Sequence, residues 1–165
     1  MPGDGTGNGF PFFPMGRHQQ LGQLGWIDRK RPRMVSVQSS GCAPIVQAFE
    51  AGAESSSFWD NAATIASGLR VPRAFADTLI LRCLLESRGS AVAIDDELIV
   101  ETIRMVAAME GLLLSPEGAA TVAALPVLRD RGFIQKESRV LLFNTGSGLK
   151  YAEVLQVAGS RSARA

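Results

Sequence analysis

Short apolar runs alternating with helix-forming segments restrict this chain more than any other feature. Residues 34–38, 91–94, 112–114 and 140–143 are three to five residues long and built largely from Val, Ile, Leu and Ala. Runs of that kind fit strands buried on both faces. The segments between them carry helix punctuation. Over residues 43–51, Pro44 lies in the first turn and Gly52 stands just past the end. Residues 76–88 are apolar nearly all round except for Thr78, Arg82 and Glu86, and Gly89 is expected to end that helix. Asp95 is placed to cap the next helix, with Asp96 and Glu97 suiting its positive end. Its inner face is predicted as Leu98, Ile99, Thr102, Ile103 and Val106, with Glu101 and Arg104 outward and Gly111 as the stop. Ser115, Pro116 and Glu117 have the order of a helix start, Gly132 closes that helix, and Pro126 is expected to kink it or shift its start. Residues 53–74 read mostly as loop, with a helix possible over 59–67. Strands alternating with helices predict an α/β fold: a three-layer parallel sheet with helices on both faces.

The flanks differ from this middle. Residues 1–33 are irregular and rich in Gly and Pro, ending in the cluster Arg29-Lys-Arg-Pro-Arg33, which reads as a solvated loop. Residues 152–165 become small and polar and are expected to be disordered.

Charge and composition remove several function classes. The net charge is +1 without a basic stripe, so no nucleic-acid or anionic-membrane partner is expected. The apolar stretch 118–128 is too short to span a bilayer and contains Pro126. With no charged start followed by an apolar run, no secretory signal is expected, and the location is read as cytoplasmic. Cys42 and Cys83 lack CxxC spacing, so neither a disulfide framework nor a zinc site is expected. Both read as buried small hydrophobes, although Cys42 precedes a helix that would favour its thiolate. His18 is the sole histidine; it reads as a solvated loop side chain, and no metal site is expected.

In a parallel sheet, ligands bind beyond the carboxyl ends of the strands. Gln38 to Cys42, Asp95, Ser115 to Glu117 and Asn144 to Gly148 leave those ends, so all four are expected at one crevice. Asn144-Thr-Gly-Ser-Gly148 is either a plain turn or a ligand loop, with glycines that admit close backbone approach and hydroxyls on Thr145 and Ser147. Gly3-Asp-Gly-Thr-Gly7 is either a floppy end or a phosphate cradle.

Four motifs, in order, resemble one family. Cys42-Ala-Pro-Ile-Val-Gln-Ala-Phe-Glu-Ala-Gly52, Thr64-Ile-Ala-Ser-Gly-Leu-Arg-Val-Pro72, Pro116-Glu-Gly-Ala-Ala120 and Phe143-Asn-Thr-Gly-Ser-Gly-Leu-Lys-Tyr151 resemble threonine synthase of the plant and bacterial type. The likeness runs from about Leu24 to Tyr151. It implies the tryptophan synthase β-like, fold-type II pyridoxal-phosphate architecture, with residues 34–151 as the carboxy-terminal part of the cofactor domain. It implies pyridoxal 5'-phosphate as cofactor and conversion of O-phosphohomoserine and water to threonine and phosphate. A homo-oligomer is expected of the complete protein. The family's threonine facing the pyridine nitrogen corresponds to Thr145, and its phosphate-binding glycine loop corresponds to Gly3, Gly5, Thr6 and Gly7.

The pattern is broken in two places. The family's Schiff-base lysine lies upstream in a segment resembling Ser-Phe-Lys-Asp, whereas this chain has only Lys30, Lys136 and Lys150, none in that context. The chain alone is therefore expected to be inactive. Asp4 replaces a family glycine, and Phe10-Pro-Phe-Phe-Pro14 blocks the helix expected behind the loop, a pattern that fits a reading-frame slip in a gene fragment across residues 8–22. Two other readings stay open: another fold-type II lyase such as a threonine dehydratase, or a non-catalytic module that binds a phosphate ligand or a partner. A chain missing half its sheet is expected to expose apolar surface and to self-associate.

Overall fold

The computed structural model describes residues 22, 24–26 and 32–154. The glycine loop at residues 3–7, His18 and the tail from residue 155 lie outside the described residues.

Two parallel strands form the centre. β1 (Val35–Ser39) pairs with β2 (Ser90–Ile94) in the register Val35↔Ser90 to Ser39↔Ile94. Successive side chains of a strand point to opposite faces, and the packing follows that period. Val92 and Ile94 belong to one buried cluster, while Ala91 and Ala93 pack into the other.

Helices cover both faces. On one side lie α1 (Pro44–Glu50) and α2 (Asp77–Glu86), which bury Ile45, Val46, Ile80, Leu81 and Leu84. On the other lie α3 (Asp96–Glu110) and α4 (Pro116–Asp130), which bury Ile99, Ile103, Val106, Ala119, Ala123 and Leu128. The expected three layers are present; of the inner face expected for α3, Ile99, Thr102, Ile103 and Val106 are buried with Val100 beside them, while Leu98 and the outward-expected Arg104 are both half-buried. The buried hydroxyl of Thr102 donates to the Leu98 carbonyl, which satisfies it inside the helix.

Helix ends follow local chemistry in part. Ser115 caps α4 by accepting from the Gly118 amide at 3.2 Å. Gly132, at φ 69°, closes the same helix; its amide bonds the Arg129 carbonyl and the Phe133 amide reaches Leu128 at 2.8 Å. The helix runs on past Pro126 to Asp130. Asp95 occupies the cap position of α3 but makes no side-chain cap bond; its carboxylate accepts from Ser40 instead. The left-handed residue that closes α2 is Arg88, at φ 51°, and not Gly89. That helix is also less buried than expected, since Leu79 and Leu85 are exposed beside the polar edge.

Residues 53–74 are mostly loop, as expected, whereas two expected strands do not form. The helix allowed over 59–67 is absent, and a single 3-10 turn, Ser67–Leu69, stands at its end. Tertiary bonds hold this stretch open: the Trp59 amide bonds Pro72 and the Ala63 amide bonds Gly41. Residues 112–114 contribute one antiparallel bridge, Leu114 to Ser147, in place of a strand. Residues 140–143 form no strand among the described residues, and Leu141 is 77% exposed. Without a neighbour to share ladder bonds and cover its faces, an apolar run gains little by becoming extended sheet. No helix among the described residues is long and apolar enough to cross a membrane.

Candidate functional site

The loops at the carboxyl ends of the two strands are tied together by carboxylates. Asp96 opens α3 directly beyond β2, and its half-buried carboxylate takes three donors. Ser39 Oγ at the end of β1 donates at 3.0 Å, Thr64 Oγ1 at 2.6 Å and the Ile65 amide at 2.8 Å. Ionised acceptors make the stronger hydrogen bonds, so one side chain fixes the end of β1, the 64–66 segment and the start of α3 against each other. Gly41 completes the junction: a Cβ there would lie 1.8 Å from the Ala63 carbonyl oxygen.

Glu117, in the first turn of α4, makes the second knot. Its Oε1 accepts from the Gly68 amide at 2.8 Å and from the Tyr151 hydroxyl at 2.8 Å. Burial pushes the Tyr151 phenol up, a bond from Ser67 opposes this, and the Glu117 carboxylate adds to it.

The segment Asn144-Thr-Gly-Ser-Gly148 lies between these anchors, against the N-terminus of α4. A Cβ on Gly118 would stand 2.1 Å from Asn144 Oδ1, and one on Gly146 would stand 3.4 Å from Ser115 Oγ. The Gly148 amide bonds Leu113 at 3.0 Å, and the 3-10 turn Gly148–Lys150 leads to Tyr151. Thr145 itself is exposed. The backbone that follows it is tied down by the Gly148 bond to Leu113 and the Leu114–Ser147 bridge.

All four segments expected at one edge are thus in contact through bonded neighbours. Three of the residues that do the holding, Asp96, Glu117 and Tyr151, carry roles that the sequence did not disclose: the first two read only as acids suited to a helix start. The spacing of a single sequence holds no signal for a bond between residues 31 or 34 positions apart. Lys136 and Lys150 are exposed. Cys42 is fully buried, and burial raises its thiol, opposed by a Val71 backbone bond and by the Arg70 charge; the reactive-thiol reading therefore loses its basis.

Comparison with known proteins places the chain in a family. Residues 6–146 match the family model described as "Pyridoxal-phosphate dependent enzyme". The threonine synthase of Methanocaldococcus jannaschii is 34% identical over 119 residues, which covers 72% of this chain and 29% of that protein. The threonine synthase of Mycobacterium bovis is 35% identical over 128 residues, 78% of this chain and 33% of that protein. The chain therefore spans about a third of the length of these relatives or less. Among solved structures, a fungal L-serine ammonia-lyase from Rhizomucor miehei superposes with a TM-score of 0.60 at 17% identity, over 86% of this chain and 45% of that one. Maize serine racemase gives 0.51 at 22% identity, over 79% of this chain and 40% of that one. At such identities the structural likeness concerns the fold alone.

Proposed function

We infer what this chain does from a plain premise: it belongs to the pyridoxal-phosphate dependent enzymes, in the fold-type II class. It is the carboxy-terminal part of a threonine synthase, acting on O-phosphohomoserine and water to give threonine and phosphate. The observation that carries the reading is the Thr145 hydroxyl, exposed in a loop anchored at the carboxyl edge. The relatives named threonine synthase support it.

Pyridoxal phosphate, when bound, supplies the electron sink for chemistry beside the amino group. This chain's part is to bind and orient. Thr145 would hold the pyridine nitrogen of the bound cofactor with one neutral hydroxyl bond, which would leave that nitrogen without a proton where a carboxylate would keep one there. Gly118 keeps the α4 N-terminus free of a Cβ, so Asn144 packs there and the loop backbone stays close to the helix. The glycine loop at Gly3, Gly5, Thr6 and Gly7 is assigned to the cofactor phosphate. The proton-transferring lysine is assigned to a segment this chain does not contain, so the chain alone is inactive, and the working protein is cytoplasmic and homo-oligomeric.

A pyridoxal-phosphate titration of the chain, followed by absorbance, tests the reading. Thr145→Val weakens binding about fivefold, the worth of one neutral hydrogen bond, and Thr145→Ser stays near the parent. Equal binding by Thr145→Val removes Thr145 from the cofactor. Phosphate release from O-phosphohomoserine by the chain alone would end the claim of inactivity.

A further inference from the structure

We propose that Glu117 is the positioning residue of the cofactor-facing loop, a clamp that sets Thr145 by holding two separate loops on one carboxylate oxygen. The inference rests on the reading of Thr145 given above. Three observations carry it. Glu117 Oε1 takes both the Gly68 amide and the Tyr151 hydroxyl, so the 64–70 loop and the segment leaving the Thr145 loop meet at one atom. The other end of the 64–70 loop is already fixed by Asp96 through Thr64 and Ile65, which leaves Glu117 to fix the end next to Tyr151. Between Thr145 and Tyr151, backbone bonds run in sequence from Gly148 to Leu113, from Lys150 to Ser147 and from Tyr151 to Gly148, so a shift at Tyr151 passes directly back to the loop.

A carboxylate in the first turn of a helix also stabilises that helix through its dipole. The two roles separate by substitution. Glu117→Gln keeps an oxygen that accepts from Gly68 and Tyr151 but loses the charge. Glu117→Ala loses both.

The experiment is amide hydrogen exchange of the chain by NMR in the parent, Glu117→Ala, Glu117→Gln and Tyr151→Phe, with β1 and β2 amides as internal reference. Exchange at Gly68, Gly148, Lys150 and Tyr151 is expected to quicken roughly tenfold in Glu117→Ala, with the reference unchanged, and to return toward the parent rate in Glu117→Gln. Tyr151→Phe is expected to quicken Gly148, Lys150 and Tyr151 while sparing Gly68. Tyr151 is the sole tyrosine, so ultraviolet titration reads its contact without interference from another phenol; its pKa is expected to fall in both Glu117 variants. Unchanged loop protection in Glu117→Ala overturns the clamp. So does a loss in Glu117→Gln as large as in Glu117→Ala, which would mark a helix-dipole role alone. No arm uses pyridoxal phosphate, so failure of the Thr145 reading shows only in the titration of Thr145→Val, and failure of the clamp only here.

Discussion

Removing the Asp96 carboxylate should cost more than any other single polar truncation at the carboxyl edge. Its three donors come from three segments: the Ser39 and Thr64 hydroxyls and the Ile65 amide. Ser39 is fully buried, so in Asp96→Ala its hydroxyl must find another partner or go without. Hydrogen bonds to a charged acceptor contribute about 1.5–3 kcal/mol each, and a stranded buried donor costs about 1–3 kcal/mol. Asp96 is half-buried, so water recovers part of the loss, and the expected cost is about 3 kcal/mol. Asp96→Asn behaves differently. With its amide oxygen accepting from Ile65, its nitrogen faces the two hydroxyls as a donor, and their own protons lose the acceptor they had, so an intermediate cost of about 2 kcal/mol is expected. Urea unfolding followed by circular dichroism, with unchanged denaturant dependence across the series, gives both values. A cost below about 1 kcal/mol for Asp96→Ala, or equal costs for the two variants, would refute the account of Asp96 as a knot between segments.

Two further expectations follow from close packing and burial. Gly41→Ala drives a Cβ to 1.8 Å from the Ala63 carbonyl oxygen, a backbone atom, so the two loops must part; a loss of about 1–3 kcal/mol is expected in the same unfolding assay. Burial, with the Glu86 charge adding to it, raises Cys83 from 9.0 to about 11. A raised folded-state value means that the neutral thiol's contribution is complete below pH 9 and is lost as pH rises towards 11, so stability measured across that range falls in the parent and falls less in Cys83→Ala.

Much of the architecture was legible because it rests on local chemistry. Pro44, Ser115, Pro116 and Gly132 mark helix ends in the residue order itself, and the spacing of Ile99, Ile103 and Val106 gave the buried face of α3. What was left open or misread was decided at a distance. Residues 59–66, where loop and helix both stood open, are loop because they bond Gly41, Pro72 and Asp96. Residues 140–143 have the composition of a strand without a neighbouring strand among the described residues. Asp95 had the right position for a cap but faces Ser40 across 55 positions of sequence. At the candidate site, motif order pointed to Thr145, whereas the residues that hold its loop, Glu117 and Tyr151, became visible only once two loops were seen to share an oxygen.

The parallel pairing of β1 with β2 also sets the tempo of folding. Partners such as Val35 and Ser90 are far apart in the chain, so no ladder bond forms until a long segment carrying α1 and α2 has closed on itself. Loop closure of that kind is an entropic debt incurred before any contact rewards it, and chains rich in non-local pairing fold slowly for that reason. α3 and α4 are consecutive and pack together, so they can form a hairpin early. The edge where Asp96 and Glu117 gather their donors is then among the last parts to assemble, since each needs segments from both sides of the late closure.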